Sequence, residues 1–111
     1  MTFERDFETL CEAFIRSSET GDARACAAHY TDDGEIWLAS GEVIRGHEAL
    51  TAFFNTGPER LELTTVWSES SGDVGNCIQQ GKGNSDFTCM LALRREADGS
   101  WKVSREFIFP A

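Results

Sequence analysis

Between Gly21 and Phe54 the chain reads GDARACAAHYTDDGEIWLASGEVIRGHEALTAFF, and this segment constrains the fold more than any other. Within 34 residues it holds a short helix, an Asp-Asp-Gly turn, a strand, a reversal and a further helix. A helix ahead of it and a run of strands after it outline an α+β domain: three N-terminal helices packed on a curved mixed or antiparallel sheet, closing as a cone-shaped barrel around one pocket. A chain of 111 residues with eight Phe and three Trp can bury one such core unaided, so a single domain over residues 1–111 is expected.

Phe3, Phe7, Leu10, Cys11, Phe14 and Ile15 fall on one stripe of an amphipathic helix over 2–19. Thr2 suits its N-cap, and Glu4, Asp6 and Glu8 suit the positive end of its dipole. Thr20-Gly21-Asp22 ends this helix and caps the next, with Gly21 left-handed and Asp22 as N-cap. The short second helix turns Ala23, Cys26, Ala27 and Tyr30 inward. Thr31 to Gly34 reads as a turn, Glu35 to Ala39 as a strand, and Glu42 to Ile44 as its return. Gly46 opens the third helix, with Ala49, Leu50, Phe53 and Phe54 inward, and Gly57-Pro58 closes it.

Strands fill the remainder. Leu61 to Ser70 alternates, and Val74 to Lys82 carries Gly75 and Gly81, which point to bulges or curvature. The facing of Asn76, Gln79 and Gln80 is open. Asp86 to Arg95 is apolar on both faces, as in a central strand or an oligomer surface. The Ala97-Asp98-Gly99-Ser100 hairpin leads into the last strand, Trp101 to Phe109.

Acidic residues outnumber basic ones by 19 to 10, a net charge of −9, which argues against nucleic acid as a partner. The longest apolar run, Cys89 to Leu93, is too short to span a membrane, and the acidic FERDFE start is unlike a signal peptide; a cytoplasmic setting is expected. Cys11, Cys26, Cys77 and Cys89 are spread without a C-x-x-C pair, so they read as small buried hydrophobes with reduced thiols, and neither metal nor cofactor is expected.

Gly21-Asp22, Tyr30-Thr31-Asp32-Asp33, Arg45 to Leu50 and Asp98 to Val103 stand in an order that resembles the nuclear transport factor 2-like superfamily. The nearer likeness is to its SnoaL-like and ketosteroid-isomerase-like small bacterial members. The resemblance implies a pocket between sheet and helices, homodimers through the sheet, and activities that range from isomerases, cyclases and dehydratases to silent binding modules. It also implies where steroid-isomerase chemistry would sit: the proton carrier at Leu38, a first-helix Tyr at Phe14, and an acidic sheet residue near Met90. All three are apolar here, which argues against that mechanism. Tyr30 matches an accessory pocket Tyr of that group.

Alternation along the last strand sets Trp101, Val103, Arg105, Phe107 and Phe109 on one face. Arg105 is thereby aimed among aromatic rings, to clamp a ligand anion, to pair with a carboxylate such as Glu35, or to snorkel to the sheet edge. A one-residue slip would put Glu106 inward in its place as acid or base. His29 and Tyr30 are the weaker catalytic candidates; His47 reads as a helix-surface residue, Trp37 as a sheet or dimer contact, and Cys89 as lacking any cation that would activate it. The expected pocket is lined by Phe14, Tyr30, Leu38, Phe53, Phe54, Trp67, Met90, Arg105, Phe107 and Phe109. Its ligand would be a small apolar or aromatic molecule bearing an anionic or carbonyl group. An isomerase, cyclase or dehydratase acting beside a carbonyl is one alternative; a non-enzymatic association module is another.

Overall fold

The computed structural model describes residues 2–110. Helix α1 (Phe3–Glu19) begins at Thr2, whose hydroxyl accepts from the Arg5 N–H at 3.3 Å, and it buries Phe3 and Phe7. Gly21 takes φ +71°, and the Asp22 carboxylate caps α2 (Ala23–Ala27) by accepting from the Ala25 N–H at 3.0 Å. Then come β1 (Tyr30–Leu38), β2 (Val43–Arg45), α3 (Gly46–Phe54), β3 (Glu62–Ser71), β4 (Val74–Lys82), β5 (Asp86–Arg95) and β6 (Trp101–Pro110).

The six strands form one sheet in the order β2-β1-β6-β5-β4-β3, with β1 and β6 parallel and every other pair antiparallel. Two expectations are corrected here. The third helix follows β1 and β2, so only two helices are N-terminal to the sheet. The sheet is also open, with β2 and β3 as free edges, where a closed barrel was expected. Among the described residues no helix is long and apolar enough to cross a membrane.

The core lies between the helices and one face of this sheet, called inner below: Phe3, Phe7, Ile36, Leu50, Cys77, Leu91, Leu93 and Val103 are all buried. Aromatic rings lie directly on glycines of β4. A Cβ at Gly75 would stand 2.5 Å from the Phe3 ring, and one at Gly81 2.1 Å from the Phe87 ring, so the glycines read as curvature signals are seats for rings. All four cysteines are free, and Cys26, Cys77 and Cys89 are buried.

Three bulges decide which side chains reach the inner face. Along β1, Tyr30 pairs with Val103 and Glu35 with Arg105, so three extra residues are looped out against β6. The Thr31–Gly34 segment expected to be a turn is this bulge, inside a strand that starts at Tyr30. The Thr31 hydroxyl donates to the Asp33 carboxylate at 2.8 Å, and Gly34 fits because a Cβ there would meet the Tyr30 Cβ at 2.9 Å and the Thr31 carbonyl at 3.0 Å. In β6, Leu93 faces Val103 and Ala92 faces Arg105, leaving Ser104 as an extra residue whose hydroxyl bonds the Ala92 carbonyl at 3.0 Å. In β3, Val66 is the extra residue between the Thr65–Gln79 and Trp67–Ile78 pairs. Each bulge exchanges the two faces beyond it.

Candidate functional site

The bulge at Ser104 remakes the last strand. Before it Trp101 and Val103 point inward; after it Glu106 and Ile108 do, and Arg105, Phe107 and Phe109 turn outward. The expected inward Arg105 is therefore corrected. Its guanidinium lies on the outer face, where Nε pairs with Glu35 Oε1 at 3.1 Å and Nη1 donates to the Asp33 and Ser104 carbonyls. Glu35 is itself buried, and it also accepts from the Trp37 indole at 3.0 Å and from Arg45. The Trp37 bond, then the Arg45 and Arg105 charges, hold its carboxyl below the ordinary range against the opposing effect of desolvation. Arg105 completes a structural ion cluster.

Glu106 takes the inward place and is 7% exposed. The Tyr30 hydroxyl, brought over β6 by the β1 bulge, donates a short hydrogen bond to Glu106 Oε1. Burial pushes the Glu106 carboxyl up to about 7, and the Tyr30 and Cys89 donors limit the rise. Burial, then the neighbouring Glu106 charge, pushes the Tyr30 phenol well above its usual value, so it remains a donor. Behind the pair Gln79 is buried; its amide donates to Cys11 Sγ at 3.2 Å and, at 3.4 Å, to the Thr65 hydroxyl. Of the three undetermined side chains of β4, Gln79 alone points inward, because Cys77 and Gly81 on either side of it do. Desolvation raises the thiol of Cys11 to about 11 and pushes that of Cys89 well above its ordinary value, so both stay protonated.

The Tyr30–Glu106 pair forms part of the wall of a hollow of about 540 Å³ between sheet and helices. Phe14, Leu38, Phe53 and Phe54 line it as well. Their rings are edge-on to one another: Phe14 and Phe54 have centroids 5.5 Å apart at 73°, and Phe53 and Phe54 are 5.2 Å apart at 73°. The other expected lining residues do not reach it. Met90 lies between the inward Cys89 and Leu91 and is 46% exposed, and the bulge at Val66 turns Trp67 out to 43% exposure. Phe107 packs edge-on against Trp37 on the outer face, 5.7 Å between centroids, and Phe109 shares that face.

His29 is half-buried, with its ring edge-on to Phe14 and Nε2 3.5 Å from the Ser17 hydroxyl. It helps line a smaller hollow of about 60 Å³ that Tyr30 and Glu106 also border. Desolvation, then Lys102 and Arg16, lowers its pKa, so the ring is neutral at pH 7. His47 has a structural place: Nε2 lies 2.7 Å from the Tyr30 carbonyl, tying α3 to the start of β1. Among the described residues no three His, Cys, Asp or Glu side chains converge as metal ligands. Nothing in Val103-Ser104-Arg105 announces the bulge that turns Glu106 inward; the partnering of Ser104 with the Ala92 carbonyl reveals it.

No family model matches the chain, and no curated protein matches it by sequence. Solved structures do match it. A function-unknown protein from Mycobacterium tuberculosis superposes with a TM-score of 0.87 at 21% identity, over 97% of this chain and 71% of that one. A ketosteroid isomerase-like protein from Erwinia carotovora atroseptica gives 0.79 at 18%, over 97% and 96%. An NTF2-like protein with a cystatin-like fold from Novosphingobium aromaticivorans gives 0.77 at 15%, over 95% and 79%. At these identities the likeness establishes the fold alone.

Proposed function

With the nuclear transport factor 2-like fold as premise, we propose that this chain binds a small, largely apolar or aromatic molecule in the 540 Å³ hollow. A polar group of the ligand meets the Tyr30–Glu106 pair. The observation that carries this reading is a buried carboxyl group and a phenol set in an aromatic wall. Such a group costs folding stability where a leucine of similar volume would pack at no such penalty, so its placement in the hollow favours a recognition role. The anion clamp expected of Arg105 has no place in this reading, because that guanidinium is bound to Glu35 outside the hollow.

A second reading takes Glu106 as a proton carrier beside a ligand carbonyl. A carboxyl near 7 can both give and accept a proton at neutral pH, and it borders the space where a ligand would lie. Tyr30 would then position it. The outer face, with Trp37, Met90, Phe107 and Phe109 each at least 40% exposed, favours pairing with a second copy through the sheet; a monomer by sedimentation equilibrium would remove that proposal. Four free thiols suit a reducing compartment, and we place the protein in the cytoplasm.

The binding reading predicts that a neutral naphthyl fluorophore, N-phenyl-1-naphthylamine, brightens on addition of the protein. Ile108→Trp, which fills the hollow beside Glu106, should weaken this binding by about tenfold or more, the scale of one lost apolar subsite. Unchanged binding by a folded Ile108→Trp variant would place the fluorophore elsewhere and sink the reading.

A further inference from the structure

The residues lining the hollow include Glu59, Asp86 and the buried Glu106, and among the described residues no lysine, arginine or histidine lines it. Several basic groups of the chain are engaged elsewhere: Arg45 and Arg105 with Glu35, Arg94 with Asp33, and Lys102 with the Ala28 carbonyl. The whole chain carries a net charge of −9, which draws cations toward any opening. The rings of Phe14, Phe53, Phe54 and Phe87 make up much of the remaining wall. From this arrangement we infer that the ligand is an organic cation, an apolar or aromatic molecule bearing an ammonium group that seats between the Glu106 carboxylate and the phenylalanine rings. The inference rests on the reading of the hollow as a small-molecule site.

The chemistry follows from what Glu106 lacks. A carboxylate offers about four acceptor positions, and here the Tyr30 hydroxyl donates to one of them while the Cys89 thiol donates to Gln79 Oε1 at 4.0 Å. The titratable and polar groups that share the smaller hollow with it are Tyr30 of β1, His29 just ahead of β1, Cys11 from α1, Gln79 from β4 and Cys89 from β5. None of them supplies a positive charge at pH 7, since burial keeps His29 neutral. A cation entering the hollow provides the missing countercharge in a site where water screens it little, and ring faces add attraction through their quadrupoles. An anion would meet the Glu106 carboxylate with no basic side chain among the lining residues to offset it. A neutral carbonyl ligand would instead require Glu106 to be protonated. The sign of the ligand's charge therefore sets the sign of the pH dependence.

Benzyltrimethylammonium and its uncharged isostere neopentylbenzene separate these cases, because neither titrates. Binding is followed by the NMR shifts of Tyr30 and Phe54. At pH 8 the cation should bind at least about tenfold more tightly than the isostere. Its affinity should fall about tenfold between pH 8 and pH 6, as Glu106 takes up its proton near 7. Glu106→Gln should abolish the pH dependence and reduce the preference for the cation about tenfold. The wild-type pH series stands on its own should the variant fold poorly. Equal or tighter binding of neopentylbenzene, or cation binding indifferent to pH, overturns the cation inference and leaves the pocket reading intact. If neither compound shifts Tyr30 or Phe54 at millimolar concentration, the pocket reading falls with it.

Discussion

The folded protein is expected to lose about 3 kcal/mol of stability through Glu106 as the pH rises from 4.5 to 7. The folded carboxyl ionises near 7 against 4.5 for its ordinary value, so between these limits the native state holds a proton that the unfolded chain has released. Stability from this group is complete below pH 4.5, declines across the window, and is level above 7. The depressed carboxyls of Asp33, Glu35 and Asp98 act in the opposite sense and lower down: their contribution is present above their unfolded values and is lost as the medium becomes more acid. Asp98 belongs to that set because the Ser100 hydroxyl and N–H both bond its carboxylate.

His29, lowered by burial, also loses its contribution as pH falls below its unfolded value, which overlaps the Glu106 window with opposite sign. The difference between wild type and Glu106→Gln isolates the glutamate. Glutamine keeps the shape and still accepts from the Tyr30 hydroxyl, so the variant should match or exceed wild type at pH 8 and gain nothing at pH 5. Urea denaturation of both proteins across this range measures it. Parallel stability curves would mean that Glu106 ionises in the folded state as it does in water.

Gly34→Val is expected to cost about 3 kcal/mol, for a reason confined to the bulge. The Cβ of a residue at 34 meets the Thr31 carbonyl at 3.0 Å and the Val103 carbonyl at 3.3 Å, so backbone hems it in from two strands. The crowding at Gly75 and Gly81 is different, because an aromatic side chain can move aside there. To admit valine, β1 must part from β6 where Tyr30 is aimed at Glu106. The variant should therefore melt earlier and also raise the Glu106 titration further, since the Tyr30 donor that lowers it is withdrawn. A loss under about 1 kcal/mol would show that the bulge has room this geometry does not suggest.

Helix α1, its Thr2 cap, the left-handed Gly21 and the Asp22 cap were legible in the sequence because they are local devices, and each stands where the residues placed it. The limits of β4 and β5 coincide with the expected ones for the same reason, since turn residues bound them on both sides. Phe14, Leu38, Phe53 and Phe54 came to the hollow because helix periodicity and an unbroken stretch of β1 fixed their faces. An unbroken period of two along the last strand predicts an inward Arg105, and Ser104 breaks that period. That single extra residue exchanges Arg105 for Glu106 and turns the rings of Phe107 and Phe109 to the outside. A bulge depends on what the neighbouring strand offers across the ladder, here the carbonyl of Ala92, and the residues of β6 alone do not state it. The same holds at Val66, which carries Trp67 away from the hollow.

The most direct measurement is a carbon-13 NMR titration of the glutamate side-chain carboxyls. One signal with a midpoint near 7, absent from Glu106→Gln, is the result this account predicts. A set in which every glutamate titrates between about 4 and 5 would contradict it, because a carboxyl that behaves as in water is not the buried group on which the site is built.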